Sequence, residues 1–442
     1  MTASVDDLRH VARTRPVIDR HGRNLPRTHG LRSKNLLTVT SEASVDALPA
    51  TATSLAQIPF LQKQPSSNHA SKDVDFYFIQ WLDWMGMLRA RCVPSCQLSH
   101  IDSYRLGISR GNLGRLQNDI STPACSPVGQ IFVRPDSGSI KRMHRGSLPA
   151  PAATLMASFE EQSGAAVGLC PRSLLGETIT RLHEDFKLDC LVGFEIEITF
   201  CRRNNDQSSK DVYEPLHTNH AWSTLTDNQY LESYPLLMTV VQALQDIGIS
   251  VEQTHPEGGA GQYEFVLPPL PPVEAVDTLV QARQCIQQVA ATHGLRATCH
   301  PQPFAGIGTA CHANISLNGA QDSHLREEMQ MRFMAFVLSH LSGLCAFTMP
   351  EAASYARFAD SQWTPGSWAG WGTQNRKMPL RRTATLEGLS ARWEVRCLDG
   401  IGNMYLCLYV IMRAGLQGLR EGTRMETRDC RGMSSDSPVR RI

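Results

Sequence analysis

The stretch LVGFEIEITFCRR constrains this chain more than any other. Its residues alternate, so a strand here sends Phe194, Ile196 and Ile198 to one face and Glu195, Glu197 and Thr199 to the other. Two carboxylates on one strand face repel, and burying them is costly unless a cation compensates. A solvated face of an amphipathic strand would also satisfy them. The residues around them decide between the two. GQYEFVLPP reads as a second strand with Gln262 and Glu264 on one face, and Glu257 precedes it in HPEGGAGQYEF. His312 lies in GTACHANISL and Glu394 in RWEVRCLDG, between two arginines. A lone histidine is more often a satisfied core or surface residue, and a lone glutamate pairs readily with arginine. Six such groups together form an oxygen-rich donor set with one imidazole, which suits Mg²⁺ or Mn²⁺ better than zinc.

The chain's formal charge of +1 over 442 residues gives no global attraction to nucleic acid or to an anionic membrane. An anionic ligand therefore needs a local cluster. SYARFADSQWTPGSWAGWGTQNRKMPLRR supplies Arg357, Arg376, Arg381 and Arg382, and Arg392 and Arg396 follow. Arginine forks bind carboxylate or phosphate in bidentate fashion. A surface charge run is the alternative. The interleaved Trp363, Trp368 and Trp371 favour a partly buried loop, although aromatic packing alone accounts for them as well.

The length allows two domains. Residues 1–72 are rich in Ser, Thr, Ala, Arg and Pro, which predicts a disordered extension. Order is expected from DVDFYFIQWLDW, with a strand at QIFVRPD and a change of pattern near 171. Helical spacing is clear at SLLGETITRLHEDFKL, YPLLMTVVQALQDIG, VEAVDTLVQARQCIQQVAATHG, LREEMQMRFMAFVLSHLSGLCAFTM and NMYLCLYVIMRAGLQGLREG; polar residues 423–442 predict a flexible tail. No apolar run is long enough to span a bilayer. The Arg-rich start lacks a signal's apolar core and carries acids that transit peptides avoid, so a cytoplasmic protein is expected. The 13 cysteines show no repeated spacing, which predicts reduced thiols acting as small core residues.

Together these segments resemble the glutamine synthetase family. Its Glu-x-Glu strand is echoed by Glu195 and Glu197, and its His-x-Glu…Gly-Gln-x-Glu segment by His255, Glu257, Gly261, Gln262 and Glu264. Its metal histidine matches His312, with Ser316 after it. Its Arg-x-Glu-x-Arg…Asp…Asn-x-Tyr-Leu segment matches Arg392, Glu394, Arg396, Asp399, Asn403, Tyr405 and Leu406. The resemblance covers about 74–422, and WGTQNRKMPLRR and GISRGNLGRLQND are similar to the fungal fluG-type subgroup. That subgroup often carries an amidohydrolase domain, for which 72 residues are too few; the ligase part alone is expected.

The resemblance implies an α+β fold: a small β-grasp-like domain over 73–170, then a larger catalytic domain over 171–422 built on an antiparallel sheet with flanking helices. It implies ATP and two or more Mg²⁺ or Mn²⁺ ions. Glu197, Glu257 and Glu264 would hold the metal near the acceptor, and Glu195, His312 and Glu394 the metal at the nucleotide phosphates. Arg357 and Arg396 would meet the substrate carboxylate or its acyl phosphate, with Gly308 nearby. Arg376 and Arg381 would meet the ATP phosphates, Ser316 would lie near the nucleotide, and Arg357, Arg376 and Arg396 would be catalytic. A ring-shaped homo-oligomer acting on small-molecule acids and amines is implied as well.

Two departures from the family pattern bear on the amine. The loop ADSQWTPGSWAGWG lacks the glutamate that helps deprotonate ammonium, and GISRGNLGRLQND places Ser109 and Arg110 where an aspartate is expected. In addition, Asn314 stands where the family has a second histidine. An ammonium ion needs acceptor groups and a base. The expectation is therefore an amide-forming ligase using an amine other than ammonia. A catalytically weakened scaffold and an ordinary glutamine synthetase are the alternatives.

Overall fold

The structure, a computed structural model, describes residues 73–432 apart from 99, 117, 121, 123–125, 127, 147, 206–210, 307, 320–322, 359–364, 366 and 384–391. The expected extension over 1–72, and Asp360 and Trp363, lie outside the described residues.

The first sheet is mixed. It comprises β1 (Phe76–Leu82), β2 (Leu88–Pro94), β3 (Leu106–Ser109), β4 (Gln130–Pro135), β5 (Lys141–Arg142) and β6 (Ala152–Glu160), in the order β2-β1-β6-β4-β3 with β5 beside β6. β1 and β6 run parallel, and the other pairs are antiparallel. Alternate residues Tyr77, Ile79 and Trp81 enter its core with Val133, Leu155 and Phe159.

The second sheet holds β7 (Asp189–Arg203), β8 (Tyr213–Pro215), β9 (Gln253–Pro256), β10 (Gln262–Val266), β11 (Arg296–Thr298), β12 (Cys311–Asn318), β13 (Trp371–Thr373), β14 (Leu380–Arg382) and β15 (Trp393–Val395). Its order is β13-β14-β15-β12-β7-β10-β9, with β8 and β11 also on β7, and among the described residues β13–β14 is its one parallel pair. The helices are α1 (Pro171–Phe186), α2 (Tyr234–Asp246), α3 (Pro272–Thr292), α4 (Ser323–Ser339), α5 (Leu341–Thr348), α6 (Ala352–Ala356) and α7 (Met404–Glu421). The apolar face of β7 (Phe194, Ile196, Ile198) packs in one core with Leu279 and Ile286 of α3 and Leu408 and Ile411 of α7, leaving the glutamate face for the site. The α+β architecture agrees with expectation.

A buried polar network ties the sheets together. Arg172 on α1 donates to both oxygens of Asp277 on α3, at 3.0 and 2.7 Å, and to Asp136 after β4, at 2.5 Å. Tyr405 on α7 donates to the same Asp277. With every charge paired, removing one partner would strand the others.

Two segments differ from the sequence reading. The long helix expected from Leu325 to Met349 is broken at His340, with a 77° bend between α4 and α5. Ser339 Oγ donates to the Phe336 carbonyl at 2.9 Å, and His340 Nδ1 lies 3.0 Å from the same oxygen. Such local side-chain bonds compete with the helix ladder. Residues 427–430, expected in a flexible tail, run along β13. Trp371 Nε1 donates to Thr427 O at 2.8 Å, Asp429 accepts from Thr373 N and Oγ1 at 2.8 and 2.7 Å, and Cys430 is buried.

Candidate active site

Strand register alone brings five of the six expected metal ligands into one row, and a turn adds Glu257. Glu264 on β10 sits opposite Glu197 on β7, and His255 on β9 sits opposite Glu264. His312 on β12 sits opposite Glu195 on β7. Asn314 faces Glu394 on β15, which faces Arg381 on β14. The β9–β10 turn that carries Glu257 depends on Gly261 at φ +69°, where a Cβ would meet the Phe200 carbonyl at 2.7 Å.

His312 is the hub. Its Nδ1 lies 3.2 Å from Glu195 Oε2 and 3.5 Å from Glu394 Oε1, and its Nε2 lies 3.7 Å from Glu197 Oε1. Ligand atoms of Glu195, Glu264 and His312 all fall within 4.8 Å of one another, as do those of His255, Glu257 and Glu264. Glu264 belongs to both groups, so all six expected ligands form one connected cluster, with His255 as a seventh member.

The electrostatics of the cluster are divided. Burial favours a protonated Glu195, but His312 and the Asn314 amide, which donates at 2.9 Å, outweigh it and hold this carboxyl at about 2. Glu394 is opposed by burial too, yet Arg396, His312 and Arg381 keep it below the usual range. Burial pushes Glu197 and Glu264 up; Glu264 adds to the rise at Glu197, Glu195 and Glu257 add to it at Glu264, and His312 and His255 oppose it without prevailing. His255 is pushed up to about 9 by its contact with Glu264, 3.3 Å away. Burial and Arg396 depress His312, but the surrounding carboxylates prevail and raise it. Acids this buried and this close call for a cation, and the hard oxygen donors with one or two imidazoles fit a divalent ion such as Mg²⁺ or Mn²⁺.

Gln262, quoted in the sequence without a role, positions the site. Its Nε2 donates at 2.8 Å to both Glu197 Oε2 and the Gly308 carbonyl. Glu197 Oε2 also accepts from Ala310 N at 2.8 Å. Asn314 is the second such residue: its Oδ1 accepts from Arg392 Nε at 3.1 Å while its amide holds Glu195. Same-face spacing was the signal for both, Gln262 with Glu264 and Asn314 with His312.

The arginines separate into groups. Arg381 donates to Glu394 Oε2 at 2.6 Å, and Arg396 donates to its other oxygen. Arg357 is buried and held by Asp399. Ser316 lies on the His312 face of β12, two residues beyond Asn314, and accepts from Asn318. Arg376 is exposed in the turn after β13 and shares no hydrogen bond or ion pair with the other described site residues. Arg110, half-buried, pairs with Glu161 at the end of the first sheet, which answers its charge locally. Trp371 packs against Trp393 at 5.3 Å, a core contact.

Comparison with known proteins agrees with this geometry. Residues 168–432 match the family described as "Glutamine synthetase, catalytic domain". Protein fluG of Emericella nidulans is 34% identical over 384 residues, covering 86% of this chain and 42% of that protein. Gamma-glutamylpolyamine synthetase GlnA3 of Streptomyces coelicolor is 29% identical over 359 residues, 77% of this chain and 74% of that one. A crystal structure of a novel glutamine synthase homolog superposes with a TM-score of 0.69 at 24% identity, over 81% of this chain and 85% of that one. The chain spans less than half the length of fluG. By its catalytic domain, the chain belongs to the glutamine synthetase family.

Proposed function

We propose that this chain is an ATP-dependent carboxylate–amine ligase that forms an amide through an acyl phosphate, on glutamate or a related acid and with an amine other than ammonia. The carrying observation is the largely buried Glu195–Glu197–Glu264–His312–Glu394 cluster with Arg381 and Arg396 directly against it. A carboxylate oxygen of the acid attacks the terminal phosphorus of ATP and ADP leaves; amine nitrogen then attacks the acyl carbon, phosphate leaves, and the amine's proton passes to a base.

In this reading Glu197, Glu257 and Glu264 hold one Mg²⁺ or Mn²⁺ and Glu195, His312 and Glu394 another, as a set of oxygen and imidazole donors. Bound ions of this kind neutralise phosphate charge and make the transferring phosphorus electrophilic. Arg396 and Arg357 orient the acid and its acyl phosphate, beside Gly308. Arg381 meets the ATP phosphates with Ser316 near the nucleotide; Arg376, exposed in its turn, would have to reach them from outside the cluster. The first sheet serves as the β-grasp-like unit and 171–422 as the catalytic unit, in a cytoplasmic ring of identical subunits.

The amine is argued from the chain's own residues and from one relative. The loop at 358–371 offers Asp360 as its one acid, and Arg110 stands where the family places an aspartate. The relative GlnA3 bears the name of a γ-glutamylpolyamine synthetase, so the fold accommodates an organic amine. The test is phosphate release and product mass with glutamate, Mg·ATP and a panel of amines.

A further inference from the structure

A cavity of about 650 Å³ lies outside the cluster, between the β1–β2 hairpin, α3, β11 and the turn at 400–401. None of the six expected metal ligands lines it. Its volume falls in the range of small-molecule sites, about 300–1,000 Å³.

Its walls are chemically divided. Leu82, Met85, Val280 and Ile401 give an apolar body, and Arg283 and Arg296 supply two positive charges. Among the described residues neither guanidinium has a carboxylate within ion-pair distance. Arg283 donates to the Gly400 carbonyl, and Arg296 donates to the Tyr213 hydroxyl at 3.1 Å. Both partners are neutral. Among the described residues the one acid in the lining, Glu351, caps the start of α6 and lies 3.9 Å from His300 Nε2.

The wall is also fixed in advance. Gly86, at φ +78°, seats the hairpin so closely on the 401–403 backbone that a Cβ would meet the Ile401 carbonyl at 2.8 Å. Asn403 Nδ2 donates to Asp83 O at 2.7 Å, and Asp83 Oδ1 accepts from Met85 N and Met87 N at 3.0 Å each. A preformed pocket binds without an ordering cost.

We propose that this cavity is a second ligand site, one that takes a small carboxylate with an apolar body and answers its charge with Arg283 and Arg296. The proposal does not depend on the ligase reading, because its test reads binding alone.

The experiment uses the full chain and two probes with the same apolar body, phenylacetate and its uncharged amide phenylacetamide, in titration calorimetry. Saturable phenylacetate binding is expected, at least about tenfold tighter than phenylacetamide, as a charged hydrogen bond at such a site implies. Arg296→Gln removes an exposed cation, and Ala291→Trp fills the cavity from an exposed position. Each is expected to weaken phenylacetate about tenfold or more, with the thermal unfolding temperature unchanged. Absence of saturable binding, equal binding of the two probes, or binding that both variants leave intact would overturn the site.

Discussion

Arg357 Nε donates to Asp399 Oδ1 at 2.8 Å, with both side chains almost entirely sealed from solvent. Nη2 of the same guanidinium donates to the Leu398 carbonyl at 3.1 Å, so its plane is fixed before any substrate arrives. Breaking a buried pair by neutralising one partner typically costs about 3–5 kcal/mol. Asp399→Asn is expected to destabilise the fold by that order in chemical denaturation. A loss under about 1 kcal/mol would show that the pair does not hold Arg357.

Glu197 and Glu264 are held in the site at a cost, since burial and neighbouring carboxylates disfavour their charge. In the metal-free protein Glu264→Gln relieves that cost but also removes the partner that holds His255 at about 9, so the His255 pKa, read by NMR titration, should fall toward the ordinary imidazole range. The same variant should lose most of the Mn²⁺-dependent rise in unfolding temperature that the parent shows, because a ligand of the native state stabilises it by mass action. A variant whose Mn²⁺ response matched the parent's would remove Glu264 from the metal site.

The pH dependence follows from these two carboxyls together with His312 and His255, all four of which are raised. Their folded pKa values lie above the unfolded ones, so the metal-free fold gains stability as pH falls through the raised values and loses it as pH rises past them. Metal ligation needs the carboxylates ionised and the His312 imidazole neutral, so binding just above the ordinary carboxylate range should release protons from Glu197, Glu264 and His312. Glu195, held at about 2, and Glu394, held low by Arg396 after burial is overcome, should contribute none. Mn²⁺ titrations in buffers of different ionisation enthalpy would count the protons. Identical heats in all buffers near pH 6 would contradict this division of the cluster.

The row of acids was legible in the sequence because strand alternation is a strict period of two, and register did the rest: Glu264 opposite Glu197 and His312 opposite Glu195 follow once β10 and β12 flank β7. The helix break was not legible, because it rests on Ser339 and His340 competing for one carbonyl inside an apolar run. Nor was the docking of 427–430, where a polar stretch hides its one buried anchor, Cys430. Arg110 stands in the sequence where the family has an aspartate, and its pairing was not legible either. Its partner Glu161 is 51 residues away, and nothing in the local pattern joins them.

The 427–430 segment gives a prediction of its own. Asp429 closes β13 by accepting from Thr373 N and Oγ1, and Thr373 is buried. Asp429→Ala leaves those donors unpaired and should cost about 1–3 kcal/mol in denaturant unfolding. Stability within experimental error of the parent would mean that the segment is not part of the cooperative fold.

Amide formation from an organic amine is the central claim, and direct product analysis tests it. Glutamate, Mg·ATP and either ammonium or a set of alkyl, polyamine and aryl amines are incubated with the full chain, and amide mass is read against phosphate released. The account predicts stoichiometric ADP, phosphate and amide with at least one organic amine, and little glutamine at ordinary ammonium concentrations. Efficient glutamine formation would contradict the assignment of the amine. No amide from any amine, with no nucleotide bound, would contradict the ligase itself.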